Sequence, residues 1–145
     1  MGTLMGITPC LWFDGRVAEA GQYYAWVFPD TVIERLDDFM TIVVVAGQRL
    51  QLLNGGPEFP QTPAFSLVYA CPDQAELDRV WDRFVADGGE EGQCGWCLDP
   101  FGVSWQVIPD NIESLLAAGP GVMDVLMQMG RIDIAALVAA GQTAE

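Results

Sequence analysis

The chain has 145 residues, 51% of them hydrophobic, enough for one domain with a sizeable core. Its 20 acidic residues against 6 basic ones leave a formal net charge of −14, which excludes a nucleic-acid surface and opposes steering of anionic substrates. There is no His, so the commonest general base and the commonest metal ligand are missing together.

Ile7 to Phe13 reads as a first strand, with Asp14 as the N-cap of the helix that follows. Val17, Ala20, Tyr24 and Val27 recur at helical spacing, and Pro29 ends that helix. Thr31 to Leu36 and Met40 to Ala46 read as strands rich in Val, Ile and Thr. The second holds the longest apolar run, Ile42 to Ala46, far too short to span a bilayer. Gly47-Gln48 reads as a tight turn into a strand from Arg49 to Asn54, which Asn54-Gly-Gly-Pro57 ends. Residues 58–63 read as a linker.

The pattern then restarts. Ala64 to Cys71 is strand-like, and Asp73 with Glu76 resembles a capping box. Leu77, Val80, Trp81, Phe84 and Val85 form a helical stripe, closed by Gly88-Gly89. Helices are therefore expected near residues 15–27 and 73–87. Asp99-Pro100-Phe101-Gly102 has the chemistry of a turn. The strand after it alternates, with Val103, Trp105 and Val107 on one face and Ser104, Gln106 and Ile108 on the other. After Pro109, the stretches 111–118, 122–129 and 132–140 read as helices broken at Gly119-Pro120-Gly121 and Gly130. Sliding the first half by 57 positions sets Trp12 on Tyr69, Tyr24 on Trp81 and Val27 on Phe84, which suggests a repeat of strand, helix and several strands.

The four cysteines, Cys10, Cys71, Cys94 and Cys97, sit in apolar or strand-like stretches and read as reduced, buried thiols. Cys94-Gly-Trp-Cys97 lacks the second pair of a zinc site and the helix start of a redox motif. Residues three apart on a strand point to opposite faces, so no bridge between these two is expected. Trp96 and Trp105 read as core, and the acid pairs Asp37-Asp38 and Glu90-Glu91 as solvated turns.

Several long strings resemble one known group. They are Ile7 to Gly15, Leu53 to Pro57, Gly89 to Trp96, Phe101 to Pro109 and Met127 to Ala136, with Asp99-Pro-x-Gly102 ahead of the closing strand. Together the chain resembles the PhnB-like subgroup of the glyoxalase/bleomycin-resistance (vicinal oxygen chelate) superfamily, often labelled 3-demethylubiquinone-9 3-methyltransferase-like. The resemblance implies an α+β fold of paired βαβββ modules, each a curved sheet around a cavity, with a helical C-terminal tail. Module one would span about residues 5–57, module two about 63–109 and the tail 110–145, as one glyoxalase-like domain. It also implies a homodimer. Methyl transfer is another matter, because no strand here leads through Gly-x-Gly-x-x-Gly into a helix.

Metal-using relatives carry His and Glu on the first and last strand of each module. The equivalent positions here fall near Thr8, on Gln51, near Phe65 or Ser66, and on Gln106. A hydroxyl and two neutral amides lack the charge to compensate a desolvated cation, so no metal and no cofactor are expected. The candidate cavity set is Thr8, Cys10, Trp12, Gln51, Ser66, Ser104 and Gln106. Three functions fit: a binding protein for a small neutral polar or aromatic molecule, an enzyme of this superfamily acting on an oxygen-rich substrate, or a dimeric structural or regulatory protein with a vestigial cavity. The partners expected are thus an unidentified small molecule and a second copy of the chain, with no nucleic acid and no membrane. The N-terminus lacks a secretory pattern, so the expected location is cytoplasmic.

Overall fold

The structure, a computed structural model, describes residues 5–142. The chain divides into two compact units, one running to Gln61 and the other starting at Thr62. The last three residues of the expected tail lie outside the described residues.

The first unit runs β1 (Cys10–Phe13), α1 (Val17–Val27), β2 (Val32–Leu36), β3 (Met40–Val45) and β4 (Gln48–Asn54). Its sheet has the order β1-β4-β3-β2, with β1 parallel to β4 and the other pairs antiparallel. Leu11, Phe13, Thr41, Val43, Leu50 and Leu52 are buried, as are Val17, Ala20, Tyr24 and Val27 of α1. Alternation along each strand therefore leaves a second face carrying Cys10, Trp12, Ile42, Val44, Arg49 and Gln51. Gly21 lets α1 lie close on this sheet, since a Cβ there would stand 2.5 Å from the Thr41 methyl.

The second unit runs β5 (Ser66–Cys71), α2 (Gln74–Ala86), β6 (Glu90–Glu91), β7 (Trp96–Leu98) and β8 (Ser104–Pro109). Then come α3 (Ile112–Ala117), α4 (Pro120–Leu126) and α5 (Ile134–Gln142). The sheet order β5-β8-β7-β6 and its strand directions repeat those of the first unit. Leu77, Val80, Trp81 and Phe84 of α2 are buried with Cys97, Val103, Trp105 and Val107. Two βαβββ modules with a helical tail are thus present, and the tail belongs to the second unit. The Gln74 side chain ties it there, its Nε2 donating to the Ile132 carbonyl at 2.9 Å and its Oε1 accepting from the Ile134 N–H at 2.8 Å. Among the described residues no helix is long and apolar enough to cross a membrane.

Several local expectations need correction. β1 begins at Cys10 and not Ile7, because Pro9 has no N–H to pair and Ile7 is exposed. Asp14 does not cap α1. Gly15 and Arg16 are both left-handed (φ 74° and 61°), the Gly15 N–H goes to Asn54 Oδ1, and the helix starts from Arg16 with no side-chain cap. Asp73 does cap α2, taking the Glu76 N–H at 2.9 Å. Glu76 itself turns to Arg79 and to the Tyr69 hydroxyl, so the box is only half built. The β3–β4 turn lies at Ala46-Gly47, one residue earlier than expected, with both residues left-handed as a two-residue hairpin demands.

The repeat carries more than one offset. Helices match at 57, since Ala20, Tyr24 and Val27 correspond to buried Leu77, Trp81 and Phe84. Strands match at 58 on β1 and β5, because Cys10 faces Gln51 as Val68 faces Gln106. Trp12 therefore does not correspond to Tyr69. Tyr69 reaches Glu76 on α2, whereas Trp12 lies on the face that alternates away from buried Leu11 and Phe13.

Candidate functional site

Each sheet has one face packed under its helix and one face that carries the polar residues singled out above. In the first unit the larger side chains of that face are engaged by their own neighbours, while Cys10 on it is exposed. Arg49 makes a bidentate pair with Glu34 at 2.6 and 2.8 Å. Trp12 donates its indole N–H to the Gly56 carbonyl at 2.8 Å and meets the Phe59 ring edge-on. Its ring lies against Gly55, where a Cβ would be only 2.3 Å from Cε2, and the Gln61 amide caps its carbonyl. Trp12 is thus clamped by the 55–61 loop. Gln51 lies beside Cys10, its amide pointing to Sγ at 3.8 Å, and Thr8 lies partly exposed ahead of β1.

The second unit is different. β5 and β8 run parallel with Ser66 beside Ser104 and Val68 beside Gln106, while β7 sets Trp96 opposite Gln106 and Leu98 opposite Ser104. Residues paired this way share a face. Gln106 Nε2 donates to Ser66 Oγ at 3.0 Å. That resolves the register at Phe65 or Ser66 in favour of Ser66. Ser104 is 2% exposed, and its Oγ is the one buried side-chain polar atom among the described residues that has no hydrogen-bond partner. Beside this row stand Trp96, which is partly exposed and not core, and Val68, which is 56% exposed.

The turn before β8 fixes the row. Asp99 is 1% exposed, and its Oδ1 accepts from the Phe101 and Val103 N–H groups while Oδ2 accepts from the Trp105 indole. The carboxylate thereby pins the strand start and its core anchor at once. Turn chemistry marked Asp99 in the sequence, but its bond to Trp105 is visible only in the fold. The Asp37-Asp38 pair is likewise more than a solvated turn, since Asp37 accepts from the Phe39 and Met40 N–H groups and from Arg35. The Met40 N–H, ahead of Arg35, lowers its pKa to about 2.

A metal does not fit these residues. Gln51, Gln106, Ser66 and Thr8 offer only neutral oxygens, and Gln106 spends its amide on Ser66. Among the described residues no three His, Cys, Asp or Glu side chains gather to hold an ion. Burial pushes the Cys71 and Cys97 thiols up to about 12, so neither is a nucleophile near neutrality. Cys10 and Cys94, expected to be buried, are exposed and partly exposed. Cys94 also lies off the strand, in a left-handed turn (φ 59°), while Cys97 is on β7, and all four cysteines are free thiols.

A nucleotide-borne methyl donor fits no better. None of the three strand-to-helix junctions, Asp14-Gly15-Arg16, Pro72-Asp73 and Asp110-Asn111, carries a Gly-x-Gly-x-x-Gly run, and the Asp73 carboxylate occupies the α2 N-terminus. A cavity of about 450 Å³ lies near that helix end, lined by Pro72, Gln74, Pro109, Asn111 and Ile134 among others. It holds none of the sequence candidates, and its Gln74 is already spent on the tail.

The family described as 3-demethylubiquinone-9 3-methyltransferase matches residues 5–108. The chain belongs to this family. Its fold is that of the glyoxalase/bleomycin-resistance superfamily. A PhnB protein from Bacillus cereus is 26% identical, with a TM-score of 0.62 over 72% of this chain and 99% of that one. A Pseudomonas aeruginosa protein is 21% identical (TM-score 0.59, covering 73% and 98%), and a glyoxalase/bleomycin resistance protein from Albidiferax ferrireducens is 13% identical (TM-score 0.51, covering 70% and 95%). These last two share the fold. No curated protein matches the chain. The family match ends at residue 108, so α3, α4 and α5 lie beyond it.

Proposed function

We propose that the open face of the second sheet binds a small uncharged molecule with a flat apolar body and polar substituents, without a metal. Ser66 and Gln106 would supply hydrogen bonds from the accessible part of the row, Ser104, now sealed from solvent, would supply one where the ligand displaces its cover, and Trp96 with Val68 would supply the apolar contact. The unpartnered hydroxyl of Ser104 carries this reading. A buried polar group left without a partner costs free energy, and such groups collect where function needs them. The neutral donor set favours binding through hydrogen bonds over Lewis-acid chemistry. The first sheet supports the assignment by contrast, since Arg49, which holds the place of Ser104, is already paired with Glu34.

The test separates function from folding. Ser104→Ala should leave the ligand-free protein as stable as wild type or more so, by up to ~1 kcal/mol, because it removes a desolvated hydroxyl. The same variant should weaken binding of an uncharged quinone or hydroxylated aromatic, found by thermal-shift screening, by about fivefold. A variant that is less stable and binds unchanged would show that the hydroxyl serves the fold alone.

The same reading includes a cytoplasmic homodimer. β2 is the edge of the first sheet, and Val32, Ile33 and Leu36 on it are exposed, as is Phe39 beyond it. An apolar open edge is a hazard unless it is covered. Light scattering at micromolar concentration should give twice the chain mass of 15.8 kDa, and a monomer there would remove the dimer from the reading.

A further inference from the structure

One cluster of reactive atoms lies outside the row of Ser66, Ser104 and Gln106. Cys94, in the β6–β7 turn, points its thiol at the thioether of Met127, the C-cap of α4, with Sγ and Sδ 3.6 Å apart. Backbone bonds hold the two segments together. The Cys94 N–H donates to the Met129 carbonyl at 2.8 Å, and the Gly95 N–H to the Gly130 carbonyl at 2.9 Å. Ile132, 1% exposed, packs against Gly95 so closely that a Cβ there would be 2.8 Å from its Cδ1. The sulfur pair is therefore built before any ligand arrives. It is also open to solvent, since Cys94 is partly exposed and Met127 is 53% exposed. Met123, 44% exposed, lies one helical turn before Met127, whose N–H donates to its carbonyl at 2.9 Å, so the two thioethers share a helix face.

We propose that Cys94 and Met127 form a binding site for a soft monovalent d10 cation, Cu(I), with Met123 as the third sulfur. Thiolate and thioether donors select this ion over Mg²⁺ or Mn²⁺, which prefer oxygen. With metal–sulfur bonds of about 2.3 Å, a separation of 3.6 Å subtends about 100° at the ion, somewhat below the tetrahedral angle, so a small opening of the pair completes the geometry. The ion takes the place of the thiol proton that now lies between the sulfurs. The S–H bond breaks, an S–Cu bond forms and the proton passes to solvent, so the net charge of the site is unchanged and no redox partner is needed. The net charge of −14 raises the local concentration of cations.

Anaerobic titration of the full chain with Cu(I), in competition with bicinchoninate, tests this. Wild type and Cys10→Ser should each hold one equivalent, which assigns the ion away from the other exposed thiol. Cys94→Ser should abolish binding. Met127→Leu, which conserves volume, should weaken it at least ~tenfold, the least that loss of an outer partner costs a metal site. Met127→Leu binding like wild type, Cys10→Ser losing the equivalent, or wild type taking none would each overturn the proposal. Copper X-ray absorption on wild type needs no variant to fold. A shell of two or three sulfurs at ~2.3 Å is expected, and a nitrogen or oxygen shell would overturn the site.

Discussion

The two modules share strand order, strand direction and the placement of one Gln on the last strand, yet they spend their polar groups differently. In the first, the place two residues before Gln51 holds Arg49, neutralised by Glu34, and Trp12 is clamped under the 55–61 loop. In the second, the place two residues before Gln106 holds Ser104, buried and unpartnered, beside a partly exposed Trp96. The shared topology fixes where the backbone puts a side chain, because register in a sheet is all-or-none. What each module can then do depends on which neighbours are already satisfied, and only the second leaves its row unfinished.

The sharpest way to break this comparison is at the turn that leads into the last strand. In the first module that turn is made by backbone alone, at Ala46 and Gly47. In the second it depends on the Asp99 carboxylate and its three donors. Asp99→Ala should cost roughly 3 kcal/mol or more, since it strands buried N–H groups, the Trp105 indole among them. Urea unfolding followed by Trp fluorescence would measure it. A loss below ~1 kcal/mol would show that the β7–β8 turn is as self-sufficient as its counterpart.

A smaller contrast lies at the two helix starts. Asp73→Ala removes the side-chain cap of α2 and should cost ~1 kcal/mol. Arg16→Gly should do the reverse at α1, raising stability by up to ~1 kcal/mol, because a left-handed Arg is strained and a left-handed Gly is not. The exposed Arg16–Glu19 pair that it sacrifices contributes little. Thermal melts of the two variants should shift in opposite directions, and shifts of the same sign would mean that the helices start alike.

Much of the fold was legible in the sequence. The stripe of Leu77, Val80, Trp81 and Phe84, the alternation of Val103, Trp105 and Val107, and the turn at Asp99 to Gly102 all involve neighbours along the chain. Period and turn chemistry report such neighbours directly. The candidate row was legible in part, because Gln106 and Ser104 share strand parity, and parity is a local property. The sequence alone thus determined the two long helices, the closing strand with its buried face and the absence of His, whereas Glu90-Glu91, which reads as a solvated turn, forms strand β6. Only the tertiary structure decided that helices repeat at 57, β1 and β5 at 58 and β4 and β8 at 55, that Ser66 and not Phe65 meets Gln106, that the Ser104 hydroxyl has no partner, and that Cys94 meets Met127. The physical reason is the same in each case. Whether a polar or sulfur atom is satisfied depends on what the folded chain brings beside it from 33 or 40 residues away, and no local spacing encodes that.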